Sequence, residues 1–162
     1  MGAIKKNRYA SVEPTRLTAQ KTREVFGQLP ADTTVVSIEN GMGLAYDQKA
    51  GKVTYTTAGA GACLVMNEII LPDPSRQQAS DFIMINKADA PVYPRLYALH
   101  VGDTFVTNAV MDDCTKGIVC IAGPQGYWQK GTGTTEVTVL DDKAVLPTGE
   151  IGVKFVVTKA EA

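Results

Sequence analysis

From about Thr33 onward, polar and apolar residues alternate in short runs broken by Gly, Asn, Asp and Pro. A period of two puts successive side chains on opposite faces of an extended chain, so it commits this stretch to β-strands rather than helices. Val36 and Ile38 alternate with Val35 and Ser37, and Met42, Leu44 and Tyr46 form one face of the next run. Asp47-Gln48-Lys49-Ala50-Gly51 reads as a hairpin loop, with Val53 and Tyr55 on the return strand. The run Ala62–Leu71 is apolar on both faces. With Gly59 and Gly61 before it and Pro72 and Pro74 after it, a strand buried on both sides fits better than a helix.

Beyond a polar loop at 72–80, Phe82–Ile85 is another apolar strand. Pro91 and Pro94 bracket Tyr93 and confine that stretch to a sheet edge or a bulge. Leu96–Val101, Thr104–Val110, Gly117–Ala122 and Thr134–Leu140 follow, each closed by turn residues. In the last strand, Ile151–Thr158, the side chains of Ile151, Val153, Phe155 and Val157 face one way and Lys154 and Thr158 the other. The expectation is an all-β fold, a sandwich or barrel of about ten short antiparallel strands. A chain of 162 residues is long enough to build one core without staples, so residues 31–162 are read as a single β-domain.

Residues 1–30 differ from that body. Six cations (Lys5, Lys6, Arg8, Arg16, Lys21, Arg23) face two carboxylates (Glu13, Glu24), a net +4 that leaves −5 on the rest of a chain whose formal charge is −1. The segment reads as an N-terminal arm, extended or partly disordered, with Pro14 holding Glu13 in extended backbone. Leu17, Lys21 and Val25 fall on one helical face, so a short helix over 17–26 ended by Gly27 is the alternative. Lys5, Lys6, Arg8, Tyr9, Arg16, Lys21 and Arg23 are the candidate contacts for an acidic partner surface, set against the plainer reading of a solvated tail. No apolar run approaches the roughly 20 residues that span a bilayer. No apolar stretch follows Lys5 and Lys6 as a signal peptide requires, and Lys6 stands where a myristoylation motif wants Ser or Thr.

Searches for chemistry return little. The single histidine, His100, ends an apolar strand, and no serine lies in a Gly-x-Ser-x-Gly context. Asp103 is near enough to give His100 a hydrogen bond without catalysis. The pairs Asp112-Asp113 and Asp141-Asp142 are expected in turns, since neighbouring carboxylates on a strand point apart and neither pair has the ligand spacing of a calcium loop. Glycines at 59–61 and 131–133 fit no phosphate-binding pattern. No catalytic, metal or cofactor residue is assigned. Cys63, Cys114 and Cys120 form no Cys-x-x-Cys pair; Cys63 and Cys120 sit in apolar runs, and Asp112 and Asp113 disfavour a thiolate at Cys114. An odd count of thiols points to synthesis in a reducing, intracellular setting. Tyr93, Tyr97, Tyr127 and Trp128 could stack on bases or sugars, but the acidic body has no basic stripe between them, so nucleic acid is disfavoured. Threonines 54, 56, 57, 104, 107, 134, 135 and 138 suggest a solvated or hydroxyl-lined sheet face, and open sheet edges favour self-association.

Three segments carry a family likeness: GQLPADTTVVSIENGMGLAYDQKAGKVTY (27–55), YPRLYALHVGDTFVTNAV (93–110) and LPTGEIGVKFVVT (146–158). In their order and in overall length they resemble small virion structural proteins of tailed bacteriophages, of the kind that decorate or cement the capsid. The resemblance implies a β-rich non-enzymatic protein that needs no cofactor and is assembled in the host cytoplasm. It implies a homo-oligomer, a trimer favoured, bound to the outer face of the major capsid protein on the virion surface. Some such proteins reach neighbouring subunits with a terminal arm, the role the basic segment would fill. A single-stranded nucleic-acid-binding or carbohydrate-binding β-barrel module is the alternative function.

Overall fold

A computed structural model of the chain describes residues 10–67, 83–146 and 149–160. Among the described residues there are thirteen strands and one short helix. In chain order they are β1 (Val12–Arg16), α1 (Thr18–Thr22), β2 (Val25–Phe26), β3 (Ser37–Glu39), β4 (Gly43–Asp47), β5 (Lys52–Thr54), β6 (Ala62–Val65) and β7 (Ile83–Ile85). The rest are β8 (Leu96–Ala98), β9 (Thr104–Thr107), β10 (Val119–Ala122), β11 (Trp128–Lys130), β12 (Thr135–Val145) and β13 (Ile151–Ala160). A six-stranded sheet runs β1-β9-β13-β12-β10-β11, a five-stranded sheet β2-β8-β6-β4-β5, and β3 pairs with β7. Every named pairing is antiparallel. The all-β architecture is therefore an open, sandwich-like stack.

The five-stranded sheet is the middle layer. In β6, Ala62 and Leu64 enter a core shared with Phe105, Val137, Phe155 and Trp128 of the six-stranded sheet. Cys63 and Val65 enter a second core, with Val35, Ile38 and Met84 on the side of β3 and β7. All four residues of β6 are buried, which is why this run lost its alternation. The reach of the apolar run beyond Asn67, the polar loop at 72–80 and Phe82 lie outside the described residues.

Between the two larger sheets Phe105, Trp128 and Phe155 pack with ring centroids 5.5–5.9 Å apart and tilted planes, a favoured aromatic geometry. The indole Nε1 donates to the Gly41 carbonyl at 2.8 Å. A Cβ on Gly43 would meet Ala122 Cβ at 2.6 Å, so only glycine lets β4 approach the indole this closely. Gly41 is tighter still: its φ is +90° and a Cβ there would lie 2.0 Å from Thr107 Oγ1.

Several local expectations shift. The hairpin at 47–51 forms, with Gly51 at φ +73° and the Ala50 N–H donating to Asp47 Oδ1 at 3.0 Å. Strand β3 starts only at Ser37, because the Asp32 carboxylate accepts the Thr34 N–H at 3.0 Å and turns the chain, which buries both Val35 and Ile38 and leaves Val36 66% exposed. Pro91–Pro94 belongs to an irregular connection tied down by Asn86, whose Oδ1 accepts the Val92 N–H at 3.1 Å, rather than to a sheet edge or a bulge. Asp141 and Asp142 lie inside β12, not in a turn. Asp141 Oδ1 accepts the Lys143 N–H at 2.9 Å, and the register slips on both sides of Asp141. The usual turn chemistry of aspartate makes a bulge here instead of a reversal.

Gly41→Ala should destabilise the domain by roughly 2 kcal/mol or more, from positive-φ strain plus the clash. Gly51→Ala, with the same sign of φ and open space around it, should cost about 1 kcal/mol from strain alone. Urea midpoints of the two variants check this, and equal losses would contradict the close approach at Gly41.

Candidate functional site

Of the seven candidate contacts, Lys5, Lys6, Arg8 and Tyr9 lie outside the described residues. Arg16, Lys21 and Arg23 are described, and all three are exposed. Arg16 ends β1, Lys21 lies in the last turn of α1, and Arg23 closes that helix in the left-handed region at φ 63°. Among the described residues none of the three forms a side-chain ion pair or hydrogen bond.

The backbone carrying them is fastened at both ends. Strand β1 pairs with β9 at the edge of the six-stranded sheet, and β2 pairs with β8 at the edge of the middle sheet. Between them Asp103, 1% exposed, accepts the Thr18 N–H at 3.0 Å, the Thr18 hydroxyl at 2.6 Å and the His100 N–H at 2.9 Å. Val12, Leu17 and Ala19 of the same segment are buried in the first core. Upstream, the Ala10 N–H donates to Glu39 Oε2 at 2.8 Å and the Ser11 N–H to Asn108 Oδ1 at 2.7 Å. From Ala10 to Phe26 the basic segment is thus a stitch across two sheets, and the helix within it spans five residues rather than ten. Its polar, Pro-containing strand β1 buries only Val12, which is why no period of two marked it.

His100 stands beside this stitch. Its Nε2 lies 3.1 Å from both carboxylate oxygens of Glu24. The pair rims an open depression of about 420 Å³ that Cys63 and Thr135 also line. Burial pushes the Cys63 thiol up to about 11, and its hydrogen bond goes to the Gly61 carbonyl at 3.5 Å. The imidazole is thus paired with a carboxylate and the thiol with the backbone. On the far side of the middle sheet, the Lys52 ammonium and the Thr34 N–H hold the Asp32 carboxyl down at about 2. That carboxylate stays charged at any physiological pH, and the contact anchors β5 to the Asp32 turn.

The aromatic candidates separate cleanly. Trp128 is fully buried and Tyr97 is 6% exposed, so neither presents a ring face to a base or a sugar. Tyr127 is partly buried and its hydroxyl donates to Glu39 Oε1 at 3.2 Å. Tyr93 alone of the four is widely exposed, at 52%. Nor do the threonines line one solvated face. Thr56, Thr107 and Thr135 are buried, with Thr56 Oγ1 donating to the Ala122 carbonyl at 2.7 Å and Thr107 Oγ1 to the Ser11 carbonyl at 3.0 Å. Among the described residues no group of three or more His, Cys, Asp or Glu side chains is placed to hold a metal ion, and no helix is long and apolar enough to cross a membrane.

One feature carried no signal in the sequence. Beyond Thr138, β12 no longer pairs with β10, and before Val153, β13 no longer pairs with β9. The end of the β12–β13 hairpin runs past its neighbours, with Val145 and Ile151 opposite each other and 64% and 48% exposed.

No family model, curated protein or solved structure matches the chain.

Trp128→Ala should cost about 3–5 kcal/mol, as expected for a large aromatic removed from a core. Tyr93→Ala should stay within about 0.5 kcal/mol of the parent. Chemical denaturation of both variants tests the assignment, and a Trp128 variant as stable as the parent would refute it.

Proposed function

We propose that this protein is a virion structural protein that decorates and stabilises a bacteriophage capsid by binding the outer surface of the major capsid protein. The observation that carries the reading is the display of Arg16, Lys21 and Arg23, exposed and, among the described residues, without side-chain partners, on a segment fastened to both sheets. Cations held this way meet an acidic surface with most of their ordering cost already met by folding. Each exposed pair contributes only about 0.2–1 kcal/mol, so useful affinity comes from several copies engaging a repetitive shell at once. The segments at 27–55, 93–110 and 146–158 that resemble capsid-decorating proteins support the same partner. Association as a homo-oligomer, with a trimer favoured, would supply the copies. The apolar hairpin tip at Val145 and Ile151 supports such contact between subunits. Assembly takes place in the host cytoplasm and the finished protein sits on the virion surface. A base-stacking or sugar-binding reading is weakened by the burial of Trp128 and Tyr97.

Co-sedimentation with expanded capsid shells tests the partner. The triple variant Arg16→Glu, Lys21→Glu, Arg23→Glu should keep the parent's circular dichroism and bind at least tenfold more weakly, since about 1.4 kcal/mol is a factor of ten. Unchanged binding by that variant would remove the basic stitch from the contact, and no binding by the parent would remove the capsid. Substituting Lys5, Lys6 and Arg8 in a separate variant measures the rest of the basic segment.

Mass measurement in solution tests the hairpin. Val145→Asp with Ile151→Asp should convert the free oligomer to monomer. A monomeric parent at micromolar concentration would count against the oligomer.

A further inference from the structure

Cys114 and Cys120 come together in the core beside Trp128, a juxtaposition the proposed function does not use. Their sulfurs are 3.1 Å apart, and the residues are 4% and 0% exposed. Both belong to the core between the two large sheets, whereas Cys63 packs into the other core across the middle sheet. The pairing is therefore unambiguous among the three thiols. We propose that Cys114 and Cys120 are a redox-sensitive dithiol that closes to an intramolecular disulfide when a small-molecule disulfide reaches it.

The two cysteines are held differently, and that sets their roles. Cys120 sits in β10, paired on one side with Lys130 of β11 and on the other with Val137 of β12. Cys114 ends a turn, its N–H donating to the Met111 carbonyl at 3.3 Å and its thiol to the Trp128 carbonyl at 3.4 Å. The flanking residues Asp112, Thr115, Lys116 and Gly117 are exposed. Local opening of this turn lifts Cys114 to solvent while the sheet keeps Cys120 in place. Contact with Cys120, burial and the nearby Asp113 carboxylate all push the Cys114 thiol up, so the closed turn resists attack and opening sets the rate.

The chemistry balances with oxidised glutathione as oxidant. Cys114 loses its proton to solvent, and its thiolate attacks one glutathione sulfur. The glutathione S–S bond breaks and one glutathione leaves as thiolate. The Cys120 thiolate then attacks the Cys114 sulfur of the mixed disulfide and expels the second glutathione. Two protein thiols become one S–S bond, two glutathione thiols form, and the two protons released are taken up by them. The new bond ties the exposed turn to a strand inside the sheet, across a short loop. It should raise Tm by roughly 5 °C.

The full chain is incubated in native buffer with oxidised glutathione, quenched with acid, and labelled in denaturant with a maleimide. Labels should fall from three to one, the remaining label on Cys63, with loss of two hydrogen atoms and a Cys114–Cys120 cross-linked peptide. A dithiol reductant should restore three labels and the lower Tm. Cys120→Ser should stop at a stable glutathione adduct on Cys114, the step before closure. Three labels persisting after oxidant, or the parent holding glutathione on Cys114 without closing, would overturn the proposal. It does not depend on what the protein binds, so it stands or falls separately from the capsid assay.

Discussion

Strand β6 has no solvent face, and the layering follows from that constraint. Ala62 and Leu64 need one apolar partner surface, and Cys63 and Val65 need another on the opposite side. The six-stranded sheet covers the first and the β3–β7 pair with its flanking turns covers the second. Neighbouring strands obey the same division: Tyr97 of β8 joins the first core, and Leu96 of β8 and Leu44 of β4 join the second. At about 25 cal/mol per Å² of apolar surface removed from water, this two-sided burial is the main source of stability in a domain with little helix. It also explains the glycines at 41 and 43, since a middle layer pressed from both sides leaves no room for side chains where backbone meets Trp128 and Thr107.

The same geometry changes what the basic N-terminal segment is. An arm that orders only on binding loses about 1–2 kcal/mol per residue at that moment. A stitch held by β9, β8 and Asp103 has met that cost on folding, and Val12, Leu17 and Ala19 return it as core. Cutting the chain at residue 30 would therefore damage the domain itself. Charge substitution at Arg16, Lys21 and Arg23 removes the cations and leaves that fastening in place, as deletion does not.

Strands that bury one or both faces were legible in the sequence, because burial writes a period or a continuous apolar run. The hairpin at Asp47–Gly51, the two-sided β6 and the alternation of β13 are the clear cases. Strands β1, β2 and β11 were not legible. They have two to five residues, lie at sheet edges, and bury at most one side chain each, so pairing rather than burial makes them strands. The candidate cations were identifiable by charge, but their fastening was not. It depends on Asp103 meeting Thr18 across 85 positions of chain, and no local pattern encodes so distant a hydrogen bond. The contact of Cys114 with Cys120 was hidden differently, since a spacing of six fits no thiol motif and only the turn after β9 folds the two together.

Buried polar side chains show where this chain's chemistry is directed. The half-buried Asn86 donates to the carbonyls of Asp32 and Val35, both at 2.8 Å, while the buried Asn40 accepts the Asn67 N–H at 2.8 Å. Asp103, Glu39 and Thr107 likewise bind the protein's own backbone. In short strands joined by long connections, many N–H and C=O groups have no ladder partner, and burying one unpaired costs about 1–3 kcal/mol. These side chains fill that need. Among the described residues, Arg16, Lys21 and Arg23 are exposed cations without side-chain partners, and Val145 and Ile151 form an exposed apolar pair near the end of a hairpin. The inward polar groups are thus turned onto the protein's own backbone, and what the described surface presents is simple charge and apolar area.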